Sequence, residues 1–259
     1  MGFLSDITAE RRRTLEQRPL DGSTLLARAL ALPPTRGFAA ALKARTPAVI
    51  AEVKRASPSA GQIADREPGE QAAAYAAAGA AAISVLTEPV HFNGSLADLR
   101  SARVACDLPV LRKDFLVHPA EIIQSRAAGA DAVLLIAACL SQHELVAMLA
   151  MTRDLGLGAL VETHAEEDLQ KALDSGAEVI GVNARDLETL EVDVERALEH
   201  LGRIPADRIA VMESGIASRA QVEAAVAAGA SAILVGESLM RADDPGAKLR
   251  ELLGEESSV

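Results

Sequence analysis

Apolar positions in this chain come in short runs that return at a regular interval. Four of the runs follow a Gly-Ala turn: GAAAISVL from Gly79, GADAVLLI from Gly129, GAEVIGVN from Gly176 and GASAILVG from Gly229. The steps between these glycines are 50, 47 and 53 residues, and a period near fifty that keeps returning to a buried strand predicts a stacked or closed repeat. Four more apolar runs alternate with them, AVIAEVK (48–54) ahead of the first and LPVLRKD (108–114), LGALVET (157–163) and RIAVMES (208–214) between successive ones. The unit is then one strand plus one helix, and eight strands predict an α/β chain folded as a (β/α)8 TIM barrel. The segments in between, such as GEQAAAYAAAG (69–79), HPAEIIQSRAAG (118–129), SRAQVEAAVAAG (218–229) and DPGAKLRELLG (244–254), are amphipathic and end at glycine or a Gly-Ala turn, as helices with a C-cap do.

The first 46 residues read differently. A polar stretch of helical spacing (7–17), an apolar one (25–32), the Pro33-Pro34 stop and a short helical segment (37–45) predict an N-terminal helical extension. It is too small to form a core, so it is expected to lie on the barrel. The expected organisation is extension 1–46, barrel 47–254 and a C-terminal tail 255–259.

In such a barrel, chemistry is expected at the C-terminal ends of the strands. Those ends carry Glu52 and Lys54, then Lys113, Glu162, Asn183 with Arg185, Ser214-Gly215 and Gly236-Glu237. Charges at the ends of Val/Ile/Leu strands are costly unless paired or used. Because side chains alternate along a strand, Ile50, Glu52 and Lys54 share one face. If Ile50 points into the barrel, an acid and a base both reach its mouth, as proton transfer requires. Lys113 has the parity of Leu111 and Glu162 that of Leu160, so both are expected to point inward, whereas Arg112 and Asp114 should face the helices as scaffold. Desolvation beside apolar walls is expected to lower the Lys113 pKa towards working pH. The glycines after the seventh and eighth strands are expected to bind a phosphate through backbone N–H groups. Aromatics are scarce, with four Phe, one Tyr and no Trp. Two of the four Phe, Phe92 and Phe115, fall in rim loops, which suggests a flat ligand to stack on.

The length of 259 residues and apolar fraction of 49% suit one large core. The net charge of −11 argues against nucleic acid as a partner but not against a small anion. No membrane-spanning run is present, and MGFLSDITAERRR has no signal-peptide h-region and no serine or threonine at position six for myristoylation, so a cytoplasmic location is expected. Cys106 and Cys139 have no metal or CxxC spacing, and the five histidines form no HxH or HExxH pair. No disulfide, metal site or organic cofactor is expected.

The motifs AVIAEVKRASPSAGQI (48–63), SVLTEPVHFNGSLADL (84–99), LPVLRKDF (108–115), LVETH (160–164), GVNARDL (181–187), ESGI (213–216) and LVGESLMRADDPG (234–246) resemble the indole-3-glycerol-phosphate synthase family, in order and from about Phe38 to Leu253. The resemblance implies a lyase of tryptophan biosynthesis that closes, decarboxylates and dehydrates 1-(2-carboxyphenylamino)-1-deoxyribulose 5-phosphate. By resemblance, Lys113 is the acid that activates the ketone, Glu162 and Glu52 handle later proton transfers, Asn183 orients them, and Lys54 anchors substrate or serves as acid in dehydration. Ser214 joins this catalytic set. The implied substrate contacts are Ser57, Phe92, Phe115, Arg185, Glu213, Gly215, Gly236 and Glu237. Ala60, Ala184 and Met212 depart from the family's commonest SPSKG, NNRD and SESG patterns, and Ala60 removes a loop cation. A phosphoribosylanthranilate isomerase would use a cysteine after its first strand, where this chain has Glu52 and Lys54. A barrel that only binds a metabolite would lack one of the acids or bases, and none is missing. A monomer is expected, with a dimer as the alternative.

Overall fold

A computed structural model describes residues 2–57, 61–62 and 66–255. Eight parallel strands close into a barrel. They are β1 (Ala48–Val53), β2 (Ala82–Leu86), β3 (Val110–Lys113), β4 (Ala132–Ile136), β5 (Gly158–Thr163), β6 (Val179–Asn183), β7 (Ile209–Glu213) and β8 (Ala232–Val235). Each pairs with its sequence neighbours, and β1 closes the ring on β8 with Ala51 opposite Val235. Every residue of β1, β2, β4, β6, β7 and β8 is buried. Strands buried on both faces explain why the sequence shows continuous apolar runs rather than alternation.

The registers decide which side chains meet. Glu52 lies opposite Ser84, Leu86 opposite Lys113, Glu162 opposite Gly181, and Asn183 opposite Glu213. The inward positions therefore become polar together, one layer above the aliphatic interior, at the C-terminal ends of the strands.

Three helices precede the barrel: α1 (Phe3–Gln17), α2 (Gly22–Leu30) and α3 (Phe38–Lys43). In α3 the buried Phe38 and Leu42 pack into the main core, with Phe38 against Gly158 at the start of β5, so this helix covers the bottom of the barrel. At the top, Arg11 of α1 pairs with Asp114 at 3.2 Å and Glu121 at 2.7 Å, while Arg12 reaches the Cys139 carbonyl at 3.1 Å. The first helix begins at Phe3, four residues before the expected start at residue 7, because its first turn is capped by a distant side chain that local spacing cannot reveal. A short antiparallel ribbon, Ala56–Ser57 with Gly61–Gln62, follows β1 and was not expected from the sequence. Cys106 and Cys139 are free thiols. Among the described residues, no helix is long and apolar enough to cross a membrane.

Candidate active site

A cavity opens at the C-terminal ends of the strands. Its lining includes Glu52 at the end of β1 and Lys54 just after it, Lys113 of β3 with Asp114 and Phe115 just beyond, Glu162 of β5, Asn183 of β6 with Arg185 beyond it, and Ser214-Gly215 and Gly236-Glu237 after β7 and β8. Phe92 lines it as well. The strand-end residues read from sequence thus meet in one place. Ser57 lies in the ribbon beside the site with its side chain outside the described set, and Ala60 lies outside the described residues altogether.

At the floor, the Lys113 ammonium faces three carboxylates. Its Nζ lies 2.8 Å from Glu213, 3.5 Å from Glu162 and 3.7 Å from Glu52. Lys54 pairs with the other oxygen of Glu52 at 2.9 Å. Asn183 Nδ2 donates to Glu162 Oε1 at 3.1 Å, and the backbone N–H of Arg185 donates to Asn183 Oδ1 at 3.0 Å, so the amide is locked in one orientation. Two of these carboxylates sit where a neighbouring side chain is missing. A Cβ on Gly236 would collide with Glu52 Oε1, and one on Gly181 with Glu213 Oε1.

The protonation pattern departs from expectation. Burial disfavours the Lys113 ammonium, but Glu213, Glu162 and Glu52 together outweigh it and raise the pKa. The predicted lowering was wrong because it considered only desolvation, and barrel closure brings carboxylates from three other strands onto the same nitrogen. Glu52 is held below the ordinary carboxylate range: burial opposes this, and Lys54 and Lys113 overcome it. Glu213 goes the other way. Its pKa is raised to about 8: burial raises it most, Lys113 opposes the rise, and Glu162 adds to it. Three carboxylates face two ammonium groups here, and Glu213 is the most deeply buried of the three. Its Oε1 is buried with no hydrogen-bond partner, a costly position for a charged carboxylate.

Glu213 was expected to touch substrate. It is 0% exposed and does not line the cavity; it lies behind Lys113 and acts on it. A carboxyl whose folded pKa lies above its unfolded value binds extra protons in the folded state, so it lowers stability as pH rises from about 4.5 to about 8. Glu213→Gln is expected to flatten that loss. Denaturant unfolding of both proteins at pH 5, 7 and 9 checks it, and identical pH slopes would contradict a raised Glu213 pKa.

Sequence reasoning missed Phe3, Leu187 and Leu190, which also line the cavity. The Phe3 ring stands edge-on to Phe115 (centroids 6.2 Å apart, 78°) and to His91 (5.1 Å, 81°), and Phe92 flanks Phe115 at 6.2 Å. Three phenylalanines from three segments therefore form an aromatic corner. The loop after β6 is braced from outside the barrel. His164 Nδ1 lies 3.0 Å from the Asn183 carbonyl, Arg196 contacts both ring nitrogens of His164, and His164 Nε2 is 3.4 Å from Asp186. Asp186 in turn accepts from the N–H groups of Glu188 at 2.6 Å and Thr189 at 3.1 Å.

A closed (β/α)8 barrel with lysines, carboxylates and an amide around an aromatic-walled cavity is of the class of barrels built to hold a small molecule beside acid and base groups. The particular family follows from comparison. Residues 4–252 match the model of the indole-3-glycerol phosphate synthase family, and the chain belongs to that family. It is 50% identical to the indole-3-glycerol phosphate synthase of Rhodococcus jostii (strain RHA1) over 235 residues, 90% of this chain and 87% of that one. It is 47% identical to indole-3-glycerol phosphate synthase 2 of Streptomyces coelicolor, over 98% of this chain and 99% of that one. Among solved structures, thiamine phosphate pyrophosphorylase from Pyrococcus furiosus aligns with a TM-score of 0.61 at 16% identity, covering 82% of this chain and 96% of that one. That likeness concerns the barrel alone.

Proposed function

We propose that this barrel makes indole-3-glycerol phosphate from 1-(2-carboxyphenylamino)-1-deoxyribulose 5-phosphate with the residues gathered at its mouth in the following roles. The observation that carries the reading is Lys113, held among three carboxylates yet exposed enough to reach a ligand. As the benzene ring carbon bearing the carboxylate attacks the ketone, the C=O π pair moves onto oxygen. Lys113 first donates a hydrogen bond and then a proton to that oxygen. An ammonium whose pKa is raised is a weak acid in the ground state, but the developing alkoxide is basic enough to take its proton, so the interaction strengthens in the transition state.

The new carbon–carbon bond costs the ring its aromaticity. Loss of CO2 returns the electron pair and restores it. In the last step the new hydroxyl leaves as water, with Lys54 or the recharged Lys113 as acid, while Glu162 or Glu52 accepts a proton. Asn183 keeps Glu162 aimed. The aromatic corner of Phe3, Phe92 and Phe115 suits the flat end of the substrate, and Arg185 with Lys54 suits its anionic groups. Ser57, with the Ser214-Gly215 and Gly236-Glu237 turns, serves the phosphate end. Among the described residues no group of three His, Cys, Asp or Glu is arranged to hold a metal ion.

The purified chain, dialysed against EDTA, is expected to release indole-3-glycerol phosphate from this substrate, and dependence on an added divalent metal would contradict the side-chain mechanism. Inorganic phosphate or sulfate is expected to compete with substrate. A bulky residue at Gly215, whose φ is +73° and whose Cβ would meet Val194 at 2.8 Å, is expected to raise KM by obstructing the backbone donors. Equal binding of a dephosphorylated substrate would remove the phosphate site from the reading.

A further inference from the structure

The first turn of α1 has no cap from its own neighbourhood, since Gly2 at the N-cap brings no side chain. Its N–H groups are answered from the loop after β6, where Glu188 accepts from Leu4 N at 3.2 Å, from Ser5 N at 3.1 Å and from the Ser5 hydroxyl. These partners are 183 and 184 residues apart in sequence. The contact bridges two parts of the cavity rim. Phe3, at the start of that turn, reaches His91 and Phe115 beyond β2 and β3, while Leu187 and Leu190, on either side of Glu188, line the cavity from the β6 side.

We propose that Glu188 is a positioning residue for ring closure: it clasps the first turn of α1 to the β6 loop and so fixes Phe3 as a wall of the aromatic end of the cavity. The inference rests on reading that cavity as the site of indole formation. Two features separate this role from general support of the helix. The rest of α1 is anchored independently, by Arg11 on Asp114 and Glu121 and by Arg12 on Glu144 and the Cys139 carbonyl. Losing Glu188 therefore frees the end that carries Phe3, not the whole helix. The base of the clasp is also rigid, because Asp186 fixes the Glu188 backbone and is itself held beside His164. A carboxylate at a helix N-terminus both satisfies donors and opposes the helix dipole, so the bond favours the docked turn.

The consequence is a dependence of substrate handling on a side chain that touches no substrate. Glu188→Ala is expected to lower kcat/KM about five- to tenfold, the population shift that loss of one capping group supplies, mostly through KM. Glu188→Gln, with one acceptor oxygen left, is expected to fall between. Glu191→Ala, which removes an exposed carboxylate from the same loop, is expected to leave both constants at wild-type values.

The deciding test is a double-mutant cycle with Phe3→Ala. If Glu188 acts through Phe3, adding Glu188→Ala to Phe3→Ala changes kcat/KM by less than about twofold, within the scatter of independent sites. An equal loss in both backgrounds overturns the proposal. Hydrogen exchange on the wild type and Glu188→Ala gives a readout free of activity. Faster exchange at Leu4 and Ser5, with the turns around Arg11 unchanged, supports the clasp, and unchanged exchange at Leu4 and Ser5 overturns it. If the wild type makes no indole product, the reading of the cavity fails, and the exchange result still decides whether Glu188 holds the turn.

Discussion

Lys113→Met is expected to lower kcat by about 10²–10⁴-fold, the range typical of losing a positioned general acid, or roughly 3–5 kcal/mol of barrier. Substrate binding should change far less, because the ammonium's interaction with the ketone oxygen strengthens only as negative charge develops there. In the resting protein the ammonium is occupied by Glu213 at 2.8 Å and by Glu162 at 3.5 Å. Methionine removes the Lys113 charge that helps hold the Glu52 pKa low, so that pKa is expected to rise, which moves the acid limb of the pH profile as well. Lys113→Arg should not restore the rate. A guanidinium keeps its proton at working pH, and its planar fork does not fit a space shaped for one nitrogen. Steady-state kcat and KM of both variants check this.

The second large effect is on stability and comes from the adjacent residue. Arg112 is 2% exposed and faces the helices, where its guanidinium donates to Asp114 at 2.8 Å, to Gln124 and Ser125 at 3.0 Å and to Thr87 at 3.1 Å. Arg112→Met leaves Asp114, itself 3% exposed, with Thr87 and Arg11 to satisfy its Oδ2. Breaking a buried pair by removing one partner costs about 3–5 kcal/mol, so the variant should unfold at distinctly lower denaturant while its folded fraction keeps a kcat near wild type. A loss below about 1 kcal/mol, the range of ordinary surface changes, would contradict the assignment of Arg112 to the scaffold.

The contrast between neighbours at 112 and 113 was legible in the sequence, because strand parity alone puts one residue inside the barrel and the other beneath the helices. The same alternation places Glu52, Lys54, Glu162 and Asn183 at the mouth. The sequence was silent wherever the answer depended on what barrel closure brings together. The rise in the Lys113 pKa needs carboxylates from β1, β5 and β7 at once, and no local window contains them. Glu213 has the inward parity of Val211, but its depth behind Lys113 follows from the registers and from the space left by Gly181. Phe3 escaped notice for the same reason. The start of α1 is set by Glu188 in a loop far along the chain, so capping signals near residue 3 give no warning that a ring there will reach the cavity. Composition pointed to rings at the rim through Phe92 and Phe115, and Phe3 completes the corner.

The most direct test of the account is single-turnover kinetics with enzyme in excess over 1-(2-carboxyphenylamino)-1-deoxyribulose 5-phosphate, following indole fluorescence and quenching samples to quantify the ring-closed species. With no Trp and one Tyr in the chain, the product signal rises from a dark background. A full rise is expected for the wild type and, for folded Lys113→Met, ring closure slowed by at least about a hundredfold. Ring closure at near wild-type speed in that variant would contradict the role given to Lys113 and move the acid's task to Lys54.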